Sequence, residues 1–197
     1  MRIAGLVLAA GRSSRMGRDK ALLDYRGHSF LNHLIFLALP RVDRVVVVLG
    51  HNAERIAPTL ATSSRIDVVV NADYDRGMLS SLQTGLVQIG EEADWVLWML
   101  VDHPAVRGRS LDRVLDAARQ TDAPLVIPRF QERRGHPIAI SRRVIRDLLS
   151  LPPEASPQDA VRRRYGEALF LDLDDTGVLR DVDTPRDLRD LAVPGRH

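Results

Sequence analysis

Short runs of apolar, mostly β-branched residues recur along the chain at 3–8, 45–49, 66–70, 95–101 and 125–127, with amphipathic stretches between them at 30–39, 53–60, 80–89 and 111–118. An unbroken apolar run of this kind predicts a strand covered on both faces, and the three-and-four spacing between runs predicts helices. Their alternation predicts a single doubly wound α/β domain over residues 1–197, with a mostly parallel sheet flanked by helices. The second half is less regular: strands are expected at 137–140 and 168–173, and a helix at 144–149. Ser156-Pro157 and Thr184-Pro185 each put a capping side chain ahead of proline at the first helical position, which predicts two further helix starts. Leu151-Pro152-Pro153 punctuates helices and does not mark a domain boundary.

With 197 residues, 45% of them hydrophobic and 27% charged, the chain is long enough to bury a sizeable core. The absence of cysteine excludes a disulfide framework, a thiolate metal site and a cysteine nucleophile, and suits a reducing compartment. No apolar run reaches the length of a bilayer, and the first one runs into Gly11 and arginines instead of a cleavage site. The protein is therefore expected in the cytoplasm, with no membrane partner. Net charge is only +2, too small to imply a continuous phosphate-tracking face, so nucleic acid is not an expected partner. One asymmetry stands out within the basic residues: 27 are arginine and one is lysine, Lys20.

In open α/β sheets ligands bind beyond the carboxyl ends of strands, so the residues that follow each run carry the chemistry. The first run leads into Ala9-Ala10-Gly11-Arg12-Ser13-Ser14-Arg15-Met16-Gly17, whose small residues leave backbone N–H groups free to wrap an anion. It is neither the G-x-G-x-x-G dinucleotide fingerprint nor the Walker loop, because Arg12 and Ser13 follow Gly11 and five residues separate Gly11 from Gly17. Arg12, Arg15, Arg18 and Lys20 gather positive charge suited to a triphosphate. A flexible ammonium among arginines suits a role a planar guanidinium fills poorly, such as following charge between phosphates as a bond breaks.

Two acidic segments follow later elements. Asp102-His103-Pro104 comes directly after the 95–101 run, and Asp181-Val182-Asp183-Thr184-Pro185 precedes the last helix. Two distant carboxylates can converge on one hard cation, but chain position alone equally allows Asp102 as a turn residue and Asp183 as a neighbour of a helix cap. After the third run, Asn71, Gly77, Ser80 and Ser81 stand at a turn and a helix start, where helix capping accounts for either serine as the residues stand. Arg134-Gly135-His136-Pro137 adds a histidine at a turn.

Leu8-Ala9-Ala10-Gly11-Arg12-Ser13-Ser14-Arg15-Met16-Gly17 with Lys20 resembles the signature loop of the molybdenum cofactor nucleotidyltransferases. Its Ala-Ala-Gly form is closer to the cytidylyltransferase branch than to the guanylyltransferases. The resemblance extends from Leu6 to Leu188 and implies a Rossmann-like nucleotidyltransferase fold that transfers CMP from CTP, with Mg²⁺, to the phosphate of molybdopterin and releases pyrophosphate. It implies that Leu8, Ala9, Ala10, Gly11, Arg12, Ser13, Ser14 and Lys20, with Asn71, Gly77, Ser80 and Ser81, bind the nucleotide. Lys20, Arg15 and Asp102 would be catalytic, Asp102 and Asp183 would hold Mg²⁺, and His136 would face the acceptor. Tyr74 and Leu79 depart from the family's usual Trp and Ser, which leaves the choice of base less firmly specified than the reaction; His103 stands where Gln is usual, a departure that leaves the implied metal ligand Asp102 in place and changes its surroundings. A molybdoenzyme recipient is the implied partner. The rival readings are a related transferase using GTP or another phosphate acceptor, and a non-catalytic molybdenum cofactor chaperone.

Overall fold

The computed structural model describes residues 1–192; the last five residues of the expected domain, 193–197, lie outside the described residues. The strands are β1 (Ile3–Ala9), β2 (Asp24–Tyr25), β3 (His28–Ser29), β4 (Arg44–Leu49), β5 (Ile66–Val70), β6 (Trp95–Leu100), β7 (Leu125–Phe130), β8 (Arg133–Arg134), β9 (Ile138–Ser141) and β10 (Leu169–Asp172). The helices are α1 (Phe30–Ala38), α2 (Ala53–Ile56), α3 (Met78–Ile89), α4 (Gly108–Gln120), α5 (Arg142–Leu149), α6 (Pro157–Arg163) and α7 (Pro185–Ala192).

Eight strands form one mixed sheet in the order β10-β7-β9-β6-β1-β4-β5, with β8 paired to β7. The long strands run parallel except β9, which is antiparallel to both β6 and β7. Alternate side chains of β1 enter different cores: Ile3, Val7 and Ala9 pack on the face that carries α1 and α4, while Ala4, Leu6 and Leu8 pack on the face that carries α3 and α5. Cover on both faces is the physical reason the apolar runs of β1, β4 and β6 are unbroken. The expected doubly wound architecture holds, and helices begin at both proline-marked positions.

Three local departures have physical causes. The helix expected at 53–60 is a single α-turn continued by a 3₁₀ turn at Ala57–Thr59, because Pro58 has no N–H to extend the α-helical ladder. The valine-rich β5 lies at the sheet edge, so Val68 and Val70 are exposed despite the apolar run. A short hairpin, β2–β3, turns at Arg26 and Gly27, both at positive φ as a two-residue hairpin requires. Behind it, Met16, Leu23, Phe30, Val182 and Leu191 form a small third core. That core ties the end of the first loop to the chain just before Asp183.

Candidate active site

The parallel pairing of β1 with β6 sets Leu8 beside Leu100, so the loop after β1 and the Asp102 turn after β6 emerge side by side. β4 and β5 deliver Gly50 and Asn71 to the same sheet end, Asn71 N–H donating to Leu49 O at 2.8 Å. Because β9 is antiparallel to β6, its start lies at this end too, which brings His136 in from the other direction. A backbone bond from Val182 N to Asp102 O, 2.8 Å, joins the two acidic segments.

The loop is held by its own serine. Ser13 takes φ 51°, its carbonyl accepts from Met16 N at 3.0 Å and Gly17 N at 3.1 Å, and its hydroxyl accepts from Lys20 N at 3.1 Å. This folding back delivers Lys20 to the carboxylates. Lys20 is only 9% exposed, and its ammonium lies 2.5 Å from Asp183 Oδ1 and 3.4 Å from Asp102 Oδ2, while Arg15 Nη2 lies 2.8 Å from Asp183 Oδ2. Four residues separated by up to 168 positions thus form one charge cluster.

Burial pushes the Asp102 carboxyl upward, but the hydrogen bond from His103 and the charges of His103 and Lys20 outweigh it and hold Asp102 down at about 2. Asp102 is therefore ionised at neutral pH and accepts only, so the 3.0 Å contact with its Oδ1 requires a proton on His103 Nδ1. Burial pushes His136 down to about 4, helped by the neighbouring His103. A neutral His136 can exchange hydrogen bonds with an acceptor but cannot offset phosphate charge. Its Nδ1 is buried with no hydrogen-bond partner among the described residues.

The cluster borders a cavity of about 260 Å³. Leu8, Ala9, Ala10, Gly11, Ser13, Lys20, Gly77 and Ser81 line it, as does Asp102. Arg12 and Ser14 border a second, outer cavity of about 550 Å³ on the far side of Ser13. Arg12 also forms a bidentate pair with Asp75, at 2.9 and 2.5 Å, and lies over the Tyr74 ring at 5.6 Å, spanning from the loop to the opposite segment. Asn71 and Ser80 stand behind the wall: the Asn71 amide donates to both serine hydroxyls, at 2.9 and 3.0 Å, and Ser80 donates to Asp73 O and Gly77 O. Neither serine caps α3, because Gly77 occupies that position. Gly77 has φ 121°, a conformation other residues rarely adopt.

Asp19, Gly50 and His51 were not singled out from the sequence, and Tyr74 only as a departure from the family's usual Trp. Asp19 borders both cavities and accepts from Asn52 Nδ2 at 3.0 and 3.3 Å. Tyr74 contributes a wall and meets His51 Nδ1 at 3.3 Å. A Cβ on Gly50 would fall 2.7 Å from Tyr74 Cβ and 2.8 Å from Ala10 O, so glycine is what lets β4, the loop and Tyr74 close together. The strand-end signal used for β1 and β6 applies equally to Gly50-His51-Asn52 after β4.

Asp102 and Asp183 present their oxygens to one shared point, where the Lys20 ammonium stands. Among the described residues no cluster of three or more His, Cys, Asp or Glu forms a full ligand cage. A pair of carboxylates that leaves other positions to water and phosphate oxygens is a donor set that fits Mg²⁺. Among the described residues, no helix is long and apolar enough to cross a membrane.

A mostly parallel α/β sheet with a glycine-serine loop at its carboxyl edge, a buried ammonium and two converging aspartates defines the nucleotidyltransferase class. The chain belongs to the MobA-like NTP transferase domain family, whose model matches residues 5–168. Its sequence is 25% identical to molybdenum cofactor cytidylyltransferase of Escherichia coli K12, covering 92% of this chain and 91% of that one. It is 30% identical to nicotine blue oxidoreductase of Paenarthrobacter nicotinovorans, covering 92% of each. A molybdenum cofactor guanylyltransferase of Shewanella sp. MR-4 is also 25% identical, over 98% of this chain and 96% of its own. The crystal structure of Rv0371c from Mycobacterium tuberculosis H37Rv superposes with TM-score 0.85 at 33% identity over 97% of each chain, and that protein has also been crystallised with manganese.

Proposed function

We propose that the chain, acting as one cytoplasmic domain, transfers CMP from CTP to the terminal phosphate of a molybdopterin-type acceptor. A phosphate oxygen of the acceptor forms a bond to the α-phosphorus, the bond from that phosphorus to the α–β bridging oxygen breaks, and pyrophosphate leaves with the electron pair. The observation that carries this reading is the meeting of Lys20, Asp102 and Asp183 beside a cavity walled by the glycine-serine loop. Phosphoryl chemistry asks a protein mainly for alignment and charge stabilisation, which matches a site without a serine or cysteine nucleophile in its reading.

In this reading the nucleoside lies against Leu8, Tyr74 and Ser81, and the backbone N–H groups of residues 10–14 hold the triphosphate. Asn71 and Ser80 act on the nucleotide through the wall they brace. Lys20 stabilises the charge that develops on the α–β bridge, and Arg15 offsets charge on the outer phosphates. Asp102 and Asp183 hold Mg²⁺, which when bound polarises the reacting phosphate as a Lewis acid. His136 contacts the acceptor as a neutral imidazole. The bidentate bond of Arg12 to Asp75 must loosen for Arg12 to reach a phosphate itself.

The test is incubation with Mg²⁺, each NTP in turn and molybdopterin, followed by mass measurement of the product. One CMP added per pyrophosphate released, with CTP preferred, is the expected result. A GMP adduct would move the base assignment to the guanylyltransferase alternative. Cofactor binding with no pyrophosphate from any NTP would leave the chaperone reading in its place.

A further inference from the structure

Asp102 uses its two oxygens differently: Oδ2 faces Lys20 Nζ at 3.4 Å, and Oδ1 accepts from His103 Nδ1 at 3.0 Å. Among the described residues no other group donates to Oδ1. A carboxylate tethered at one oxygen cannot turn its other oxygen away from the shared point with Asp183. The tether is itself fixed. His103 N–H donates to Leu100 O at 3.1 Å, and the imidazole, whose side chain is 13% exposed, stands 5.4 Å from the ring of His136. His136 in turn lies edge-on to Trp98, 5.6 Å away, and Trp98 is 3% exposed within the core. Rings therefore continue from the sheet core to the carboxylate, Trp98 to His136 to His103 to Asp102.

We propose that His103 is a positioning residue, holding Asp102 through Oδ1 so that Oδ2 is kept on the cation side of the site. This rests on the reading of Asp102 as a cation ligand. The physical basis is that a ligating carboxylate gains affinity when a donor behind it fixes its orientation, and loss of such a donor typically weakens metal binding by roughly 10- to 100-fold. His103 touches neither nucleotide nor cation in this account; it acts through Asp102.

Mn²⁺ binding to the full chain, titrated by electron paramagnetic resonance with a non-hydrolysable CTP analogue present, reads this role without turnover. His103→Leu should weaken Mn²⁺ binding by roughly tenfold or more. His103→Gln, whose amide can still donate to Asp102, should recover most of the loss. His103→Ala serves in place of the leucine variant if circular dichroism shows that the latter does not fold. Unchanged Mn²⁺ affinity in the leucine or alanine variant would overturn the proposal while Asp102→Asn still weakens binding. An equal loss in the glutamine and leucine variants would also overturn it, because ring packing and not donation would then be responsible. If Asp102→Asn leaves Mn²⁺ binding unchanged, the proposal falls together with the ligand assignment.

Discussion

Lys20 is the buried ammonium shared by the two carboxylates, whose other partners, Arg15 on Asp183 and His103 on Asp102, each reach only one of them. Lys20→Ala should therefore lower the rate of pyrophosphate release by at least about 100-fold, the scale expected when a group stabilising transition-state charge is removed. Lys20→Arg should restore little of it, since a planar fork cannot occupy a point between the two acids as an ammonium does. Both are checked by continuous pyrophosphate assay. His136 carries a different expectation. Its folded value of about 4 lies below the ordinary 6.5, so the unfolded chain binds the proton more readily. This histidine's contribution is complete above about pH 6.5 and is lost as pH falls toward 4, by about 3 kcal/mol at most. Urea unfolding of the wild type and His136→Leu at several pH values should show a gap that changes over this window; a gap independent of pH would remove the assignment. Lys20 was legible in the sequence because it is the lone lysine beside a loop of small residues. Asp19 was not, because an aspartate next to a lysine has no pattern of its own until Asn52 is folded against it.

Among the elements, the segment from β5 into α3 combines a positive-φ glycine with a buried network of polar contacts around Asn71, Ser80 and Ser81. Gly77 starts α3 at φ 121° and ψ 177°, and a Cβ there meets nothing within 4 Å, so Gly77→Ala would be felt as backbone strain alone. It should cost about 1–3 kcal/mol in denaturant unfolding. It should also raise KM for the nucleotide more than it lowers kcat, because Gly77 lines the cavity between Tyr74 and Ser81, against which the nucleoside lies in the proposed pose. The helix pattern at 80–89 announced α3, but it could not show that the helix starts two residues earlier at Met78, where an apolar residue carries no cap signal. The same limit applies to β2–β3: two-residue strands are too short for any period to register.

At the scale of the whole molecule, the candidate site is assembled from five strand ends and one late segment, so occupying it should stabilise all of them together. A saturating nucleotide at 100 times its dissociation constant adds about 2.7 kcal/mol, which for a chain of this size raises Tm by roughly 5–10 °C. Differential scanning fluorimetry with CTP and Mg²⁺ should show this shift; its absence with every NTP would speak against a nucleotide site. The sequence by itself determined the strand–helix alternation, the cover of the central strands on both faces, the loop of small residues after the first strand and the two acidic segments. Each of these is written in residue type and local spacing. Only the tertiary structure decided that Asp102 and Asp183 face one ammonium, that β9 runs antiparallel and so presents His136 at the same sheet end, and that Asn71 and Ser80 brace the wall from behind. These depend on strand order and on contacts between residues up to 163 positions apart, which no local pattern encodes.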